Sequence, residues 1–323
     1  MSSPSSAASP IIALVVPCYN EEAQFAHTLA ALSACLDDLV GTGRISEKSY
    51  MFFVDDGSRD RTWTLIAEAA AAQPSRVRGL KLARNVGHQN ALIAGLDAQV
   101  GRADATISLD ADLQDDISLI DEMVQKFNDG TEIVFAVREG RDSDTAFKRS
   151  TAVGYYRVLR WLGVDIIHNH ADYRLMSDRA LRALAEFGEV NVFLRGLVVQ
   201  LGFKTGIVKF DRLPREHGET KYPLSKMLAL AVNGITSFSV RPLRIVTTLG
   251  LIMFALFIGA AVWVLAAWLA GATIEGWTSL MLVFLLISSF QTLALGVIGE
   301  YVGKTYFETK ARPRYIVEKE LAP

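Results

Sequence analysis

Five strand-length apolar runs, each leading into a helix-like or polar stretch, set the tightest limit on what this chain can fold into. Residues 11–17, 50–54, 77–82, 105–109 and 133–137 are apolar along most of their length, as strands covered on both faces are. Between them, 21–39, 62–72, 88–100 and 117–128 read as helices, with a clear break at Gln73-Pro74-Ser75. Asn20 is placed to cap the first of these, with Glu21 and Glu22 in its opening turn. Such alternation predicts an α/β fold, a mostly parallel sheet with helices on both faces. Further on, 144–162 reads as a helix carrying Lys148, Arg149, Arg157 and Arg160. Residues 169–176 read as a loop, 190–201 as an apolar helix on the sheet, and 204–210 as an edge strand.

A parallel sheet gathers the carboxyl ends of its strands at one rim, and open α/β sheets bind ligands there. The segments that reach this rim are Cys18-Tyr19-Asn20-Glu21-Glu22, Asp55-Asp56-Gly57-Ser58, Arg84-Asn85-Val86-Gly87-His88 and Asp110-Ala111-Asp112-Leu113-Gln114. Taken singly, an Asp-Gly pair is a turn signal and an acidic pair is an ordinary helix start. Four such loops on one rim ask for more than turns. Carboxylates accept from base N–H groups and ribose hydroxyls, and Gly57 and Gly87 let a backbone come close to a ligand. Asp110 and Asp112, one residue apart at a strand end, can share Mg²⁺ or Mn²⁺, hard cations that keep positions open for water and phosphate oxygens.

The last third of the chain has a different character. Half of all residues are hydrophobic and mean hydropathy is +0.24, and the excess lies beyond residue 222. Leu224, Met227, Leu228, Ala231, Ile235 and Phe238 recur at helical intervals, the pattern of an amphipathic helix in a membrane interface. Residues 243–270 and 278–302 are each long enough to cross about 30 Å of hydrocarbon. Arg241 and Arg244 precede the pair, and Lys304, Lys310, Arg312 and Arg314 follow it. The connection 271–277 has no Lys or Arg, so the positive-inside rule puts both flanks in the cytoplasm. The predicted organisation is a disordered tail at 1–10, a catalytic domain at 11–221, an interfacial helix at 222–242, a two-helix membrane domain at 243–302 and a cytoplasmic tail at 303–323.

Charge and cysteine content remove other classes. A formal net charge of −2 gives no basic surface for nucleic acid. Cys18 and Cys35 are too few for a disulfide framework and match no zinc spacing, which fits a reducing compartment. His168 and His170 read as hydrogen-bonded loop histidines. Residues 1–10 have neither the basic start nor the apolar core of a signal peptide.

With these residues in hand, the chain resembles the family-two glycosyltransferases of GT-A fold, and among them the bacterial polyprenyl-phosphate glycosyltransferases. It is similar to bactoprenol glucosyltransferases, undecaprenyl-phosphate aminoarabinose transferases and dolichol-phosphate mannose synthases over about residues 11–317. The residues that carry the likeness are Val16-Pro17-Cys18-Tyr19-Asn20-Glu21, Val54-Asp55-Asp56-Gly57-Ser58, Arg84-Asn85-Val86-Gly87-His88-Gln89, Asp110-Ala111-Asp112-Leu113-Gln114, Arg215-x-x-Gly218-x-Thr220-Lys221-Tyr222 and Arg312-Pro313-Arg314-Tyr315. Thr220 stands where many relatives have Ser, and His168-Asn169-His170 is more polar than the usual lead-in.

The resemblance implies a set of roles. Pro17, Tyr19, Glu21, Asp55, Asp56, Asn85, Gln89 and Ala111 would line the nucleotide-sugar site. Asp110, Asp112 and Gln114 would meet metal and pyrophosphate, with Mg²⁺ or Mn²⁺ as cofactor. Arg138, Arg149, Arg215 and Lys221 would gather the phosphates of donor and lipid. Asp112, Arg215 and Lys221 would act in catalysis with Asp172, which stands near the acceptor either as a base or as an orienting group. The implied reaction moves one hexose, glucose from UDP-glucose, with inversion, to undecaprenyl or another polyprenyl phosphate on the cytoplasmic leaflet of the bacterial inner membrane. GDP-mannose or another UDP-sugar is the alternative donor, and a membrane-anchored subunit that binds the nucleotide sugar without catalysis is the alternative of another class. The resemblance also implies a homo-oligomer, a tetramer. Processive relatives carry Gln-x-x-Arg-Trp, and here Arg157 stands at the Gln position before Arg160-Trp161, which argues against a polymerase.

Overall fold

The structure is a computed structural model that describes residues 9–138, 170–190, 194–210, 239–270 and 276–321. The chain divides into two units, one built on a sheet and one on two long apolar helices. In the first, β1 (Ile12–Cys18), β2 (Tyr50–Asp55), β3 (Val77–Leu82) and β4 (Ala105–Ser108) alternate with α1 (Phe25–Gly41), α2 (Thr62–Ala72) and α3 (His88–Gln99). Then follow α4 (Leu119–Asn128), β5 (Ile133–Arg138), β6 (His170–Ser177), α5 (Asp178–Ala185), α6 (Leu194–Gln200) and β7 (Thr205–Phe210). After the two apolar helices the chain ends on β8 (Val317–Leu321). The eight strands form one sheet in the order β7-β5-β6-β4-β1-β2-β3-β8.

β1 lies inside the sheet and every residue of it is buried, which is why its sequence is an apolar run with no alternation. Leu14 pairs with Met51 on one side and Ile107 on the other. One face of the sheet packs Ile12, Leu14 and Val16 with Leu32 and Leu36 of α1, Ile66 of α2 and Ile120 and Met123 of α4. α3 covers the other face at close range: a Cβ on its Gly95 would lie 2.5 Å from Val15 and 2.8 Å from Val54. The α/β architecture with helices on both faces is therefore the one expected. The sheet is mixed, since β6 and β8 run against their neighbours while the other strands share one direction.

β6 corrects the reading of residues 169–176 as a loop. From His170 onward the segment is a strand, inserted antiparallel between β4 and β5. Its face carrying Asp172 and Arg174 is buried, and charged residues at buried positions mask the apolar signature on which sequence reading depends. The apolar helix expected at 190–201 is observed as Leu194–Gln200, and the edge strand is observed as Thr205–Phe210.

The segment expected to be a tail, 303–323, does two things. Its first part extends the second apolar helix, and its last part is strand β8 on the free edge of β3. Glu318 pairs with Lys81 and Glu320 with Arg102. Tyr315 donates to Asp97 Oδ2 at 2.9 Å, and the Ala83 amide donates to the Ile316 carbonyl at 2.9 Å. Strand direction has a further consequence. β7 is parallel to β5, and β8 is antiparallel to β3, so the end of β7 and the start of β8 both lie at the carboxyl rim of β1 to β4.

The second unit contains α7 (Arg241–Leu269) and α8 (Trp277–Thr309), of 29 and 33 residues, roughly 44 and 50 Å long at ~1.5 Å per residue. Each contains a stretch long and apolar enough to cross a membrane, Arg241–Ala267 and Leu286–Thr309. Their large side chains stand outward, among them Leu251, Phe254, Trp263, Leu280 and Leu295. Tyr301 of α8 donates to the Ser239 carbonyl ahead of α7 at 2.5 Å. The amphipathic stretch at 222–238 lies outside the described residues.

Candidate active site

The loops after β1, β2 and β3 are tied to one another by hydrogen bonds that run mainly through acidic and hydroxyl side chains, and the loop after β4 is tied to Thr28 of α1. Asn20 does not cap α1, which begins at Phe25 without a side-chain cap. It adopts a left-handed conformation (φ 55), its amide donates to Ser58 Oγ at 3.0 Å, and its Oδ1 accepts from the Arg59 amide at 2.9 Å. The Glu21 amide donates to Thr62 Oγ1 at 2.9 Å. The loop after β1 is thus sewn to the loop after β2, a tertiary use that outweighs capping. Gly57 (φ 65) brings the β2 loop against the β3 loop so closely that a Cβ would lie 2.6 Å from the Arg84 carbonyl carbon and the Asn85 nitrogen.

The two carboxylates after β2 have different surroundings. Asp56, nearly inaccessible, accepts the Val86 amide on Oδ1 at 2.7 Å and the Gly87 amide on Oδ2 at 3.0 Å, so it fixes the turn into α3. Asp55 is fully buried. Its Oδ1 accepts from the Ser58 amide at 3.3 Å, whereas its Oδ2 has no partner among the described residues. Burial raises the pKa of both, against the bonds they accept. A buried carboxylate oxygen without a donor is costly, and an N–H from a bound ligand would satisfy it.

Asp110 and Asp112 follow β4. The Ala111 carbonyl between them accepts Thr28 Oγ of α1 at 2.7 Å, and Leu113 takes a left-handed conformation (φ 46) that turns the chain back after Asp112. Asp112 is exposed, and its Oδ1 accepts the Gln114 amide at 3.3 Å. Burial raises the Asp110 pKa, His88 opposes this, and Asp172, Asp112 and Asp115 push it up again. Glu21 is raised by burial first and then by Asp112, Asp60 and Asp110. Negative charge is therefore concentrated here, around a pair with an open side. Among the described residues no three Asp, Glu, His or Cys side chains stand together as a complete metal cage. The donor set instead fits a cation that keeps water and phosphate as its remaining ligands, with Asp110 and Asp112 as the protein's carboxylates and Gln114 beside them.

Asp172, on β6, reaches the same place. Arg174 Nη2 donates to its Oδ1 at 2.6 Å and Arg195 of α6 to its Oδ2 at 3.0 Å. His88 Nε2, at the start of α3, lies 3.6 Å from Asp172 Oδ2 and 3.5 Å from Asp110 Oδ1. Burial works to raise the Asp172 pKa, but His88, Arg174 and Arg195 outweigh it and hold the carboxyl well below its ordinary value. The bond toward Asp172 and the neighbouring carboxylates raise the pKa of His88, against burial.

Residues 13–185 match the family described as "Glycosyl transferase family 2". The chain belongs to this glycosyltransferase family. It is 48% identical to the uncharacterized glycosyltransferase YkoT of Bacillus subtilis, over 97% of this chain and 92% of that protein. It is 38% identical to the prophage bactoprenol glucosyl transferase homolog of Escherichia coli, over 95% of this chain and 98% of that protein. The bactoprenol glucosyl transferase of Shigella phage SfX is 35% identical, over 95% and 98%.

Of the expected residues, Glu21 has Asp110 and Asp112 as charged neighbours, Asp172 approaches Asp110 through His88, and Asp55 closes β2. Pro17 is buried in β1 beside Val54, Tyr19 is 41% exposed, Asn85 is exposed, and Gln89 Oε1 accepts the Leu194 amide at 3.3 Å. Arg138 closes β5 opposite Phe210. Arg149, Arg215 and Lys221 lie outside the described residues. His88, Arg174 and Arg195 were not among the expected site residues. The first two stand inside motifs already recognised, next to Gly87 and two residues beyond Asp172. Arg195 carries no local signal, because only the fold brings it 23 residues back to Asp172.

The depressed pKa of Asp172 makes a prediction about stability. A carboxyl lowered in the folded state stabilises the fold above its ordinary value and ceases to do so as pH falls toward the lowered one. Asp172→Asn should therefore lower the melting temperature at pH 7, and the gap to the wild type should close as pH falls below 3.8. Thermal unfolding across pH checks this; a gap that stays constant with pH contradicts it.

Proposed function

We propose that this glycosyltransferase moves a single hexose, glucose from UDP-glucose, to the phosphate of a long polyprenol at the cytoplasmic face of the bacterial inner membrane. The observation that carries the reading is that a carboxylate-rich rim, with an Asp55 Oδ2 that is buried and lacks a donor among the described residues, belongs to the same chain as two helices long and apolar enough to cross a membrane. The names of the relatives from Escherichia coli and Shigella phage, which are similar along almost the whole chain, support bactoprenol as acceptor and glucose as the sugar.

Asp55 Oδ2, buried without a donor among the described residues, suits a ring N–H of the base, and Glu21 lies on the same rim near Asp110 and Asp112. Pro17, Tyr19, Asp56, Asn85, Gln89 and Ala111 shape the rest of the nucleotide-sugar site. A divalent cation held by Asp110 and Asp112, with Gln114 beside them, would neutralise charge growing on the leaving nucleoside diphosphate. Arg138, Arg149, Arg215 and Lys221 gather phosphate oxygens, Arg through a planar fork and Lys as a mobile point charge. A phosphate monoester loses its second proton near pH ~6, so the acceptor oxygen is already anionic and attacks the anomeric carbon in line, with inversion. No strong base is called for.

Two crossings by these helices, with residues 271–275 outside, would return the chain to the side of the membrane on which β7 and β8 share one sheet.

In a detergent assay with UDP-glucose and undecaprenyl phosphate, Asp112→Asn should cut transfer by roughly a hundredfold or more, the scale of losing a charged group that acts in the transition state, while its melting temperature stays unchanged. Full activity would remove Asp112 from the mechanism. For the topology, a cysteine replacing Glu275 should react with an impermeant thiol reagent in intact cells and one replacing Thr309 should not; the reverse pattern would refute the arrangement.

A further inference from the structure

The Asp172 carboxylate is occupied on every side. Arg174 Nη2 and Arg195 Nε donate to Oδ1 at 2.6 and 3.2 Å, Arg195 Nη2 donates to Oδ2 at 3.0 Å, and His88 Nε2 faces Oδ2 at 3.6 Å. A carboxylate offers about four lone-pair sites; three hydrogen bonds fill three of them, and His88 Nε2 faces the fourth from 3.6 Å. Arg174 is fully buried and Asp172 nearly so, while the Arg195 side chain is 39% exposed at the edge of the cluster. The Arg195 fork is bidentate, a geometry that fixes the distance and the plane of the carboxylate together. His88 stands between this carboxylate and Asp110, 3.5 Å from the latter. The contacts thus form a chain that runs from α6 through Asp172 and His88 to the acidic pair after β4.

We propose that Arg195 is a positioning residue: its fork holds Asp172 against His88, so that Asp172 serves as the buried anchor of the imidazole beside Asp110 and takes no proton from the acceptor. The consequence for sugar transfer rests on the function proposed above; the anchoring itself does not. Outer partners that orient a cation-binding group matter because they hold it in one rotamer. Lys at position 195 would keep the charge and lose the fork, so charge and geometry can be separated.

The test compares Arg195→Ala and Arg195→Lys with the wild-type full chain in detergent. Diethyl pyrocarbonate modification, read peptide by peptide, reports how firmly His88 is held, with exposed His27 of α1 as the internal standard. In Arg195→Ala, His88 should be modified severalfold faster while the His27 rate stays the same. In the transfer assay kcat should fall about ten- to a hundredfold, KM for polyprenyl phosphate should not change, and added methylguanidine should restore part of the rate. Arg195→Lys should stay close to the Ala variant. An unchanged His88 rate overturns the proposal, as does a loss expressed only in KM for the lipid, which would make Arg195 a phosphate ligand. If Arg195→Ala loses its fold, its cooperative thermal transition disappears, and Arg195→Lys carries the same comparison. A wild-type chain that transfers no sugar defeats the proposed function, while the His88 rates still decide the role of Arg195.

Discussion

Carboxylates gathered at one rim of a sheet repel each other, and burial makes each charge harder to keep. Glu21, Asp55, Asp110 and Asp112 all stand at that rim, and the pKa of each of Glu21, Asp55 and Asp110 is raised by burial first. Only a rigid frame holds such groups together. Here the frame is the fully buried β1, the Gly57 contact with the neighbouring loop, and backbone amides placed on Asp56. The negative charge that remains on the open side is what a divalent cation and a diphosphate can use.

Opposite charge enters this arrangement from β6 and α6. Arg174 is carried into the interior by a strand that pairs on both sides; burial lowers its pKa, Asp172 opposes that shift, and the Arg195 charge adds to it. The pair is tolerable inside because each member compensates the other. The sheet is closed at its far edge by the last strand of the chain, which ties the segment after the apolar helices back to the domain that precedes them.

How much of this was legible in the sequence depended on whether the local pattern and the tertiary environment agreed. β1 to β4 were readable because strands covered on both faces are mostly apolar, with Arg78 and Lys81 the charged interruptions in β3. β6 was not, because Asp172 and Arg174 are buried as an ion pair and not as hydrophobes. β8 was hidden for the opposite reason: Val317-Glu318-Lys319-Glu320-Leu321 is an exposed edge whose charges pair with Lys81 and Arg102. Asn20 satisfied the rule for a helix cap and was instead used to join two loops. In the site, Asp110 and Asp112 announce themselves by spacing at a strand end, whereas Arg195 is assigned only by the contact it makes.

Calorimetry of UDP binding to the purified full chain decides whether the acidic rim takes a nucleoside diphosphate through a shared divalent cation. With Mn²⁺ present UDP should bind with measurable heat, and in excess chelator, or with Asp110→Asn, binding should be lost or greatly weakened. Equal UDP affinity with and without the cation would contradict the account, because the rim would then be holding the diphosphate by some means other than the Asp110 and Asp112 pair.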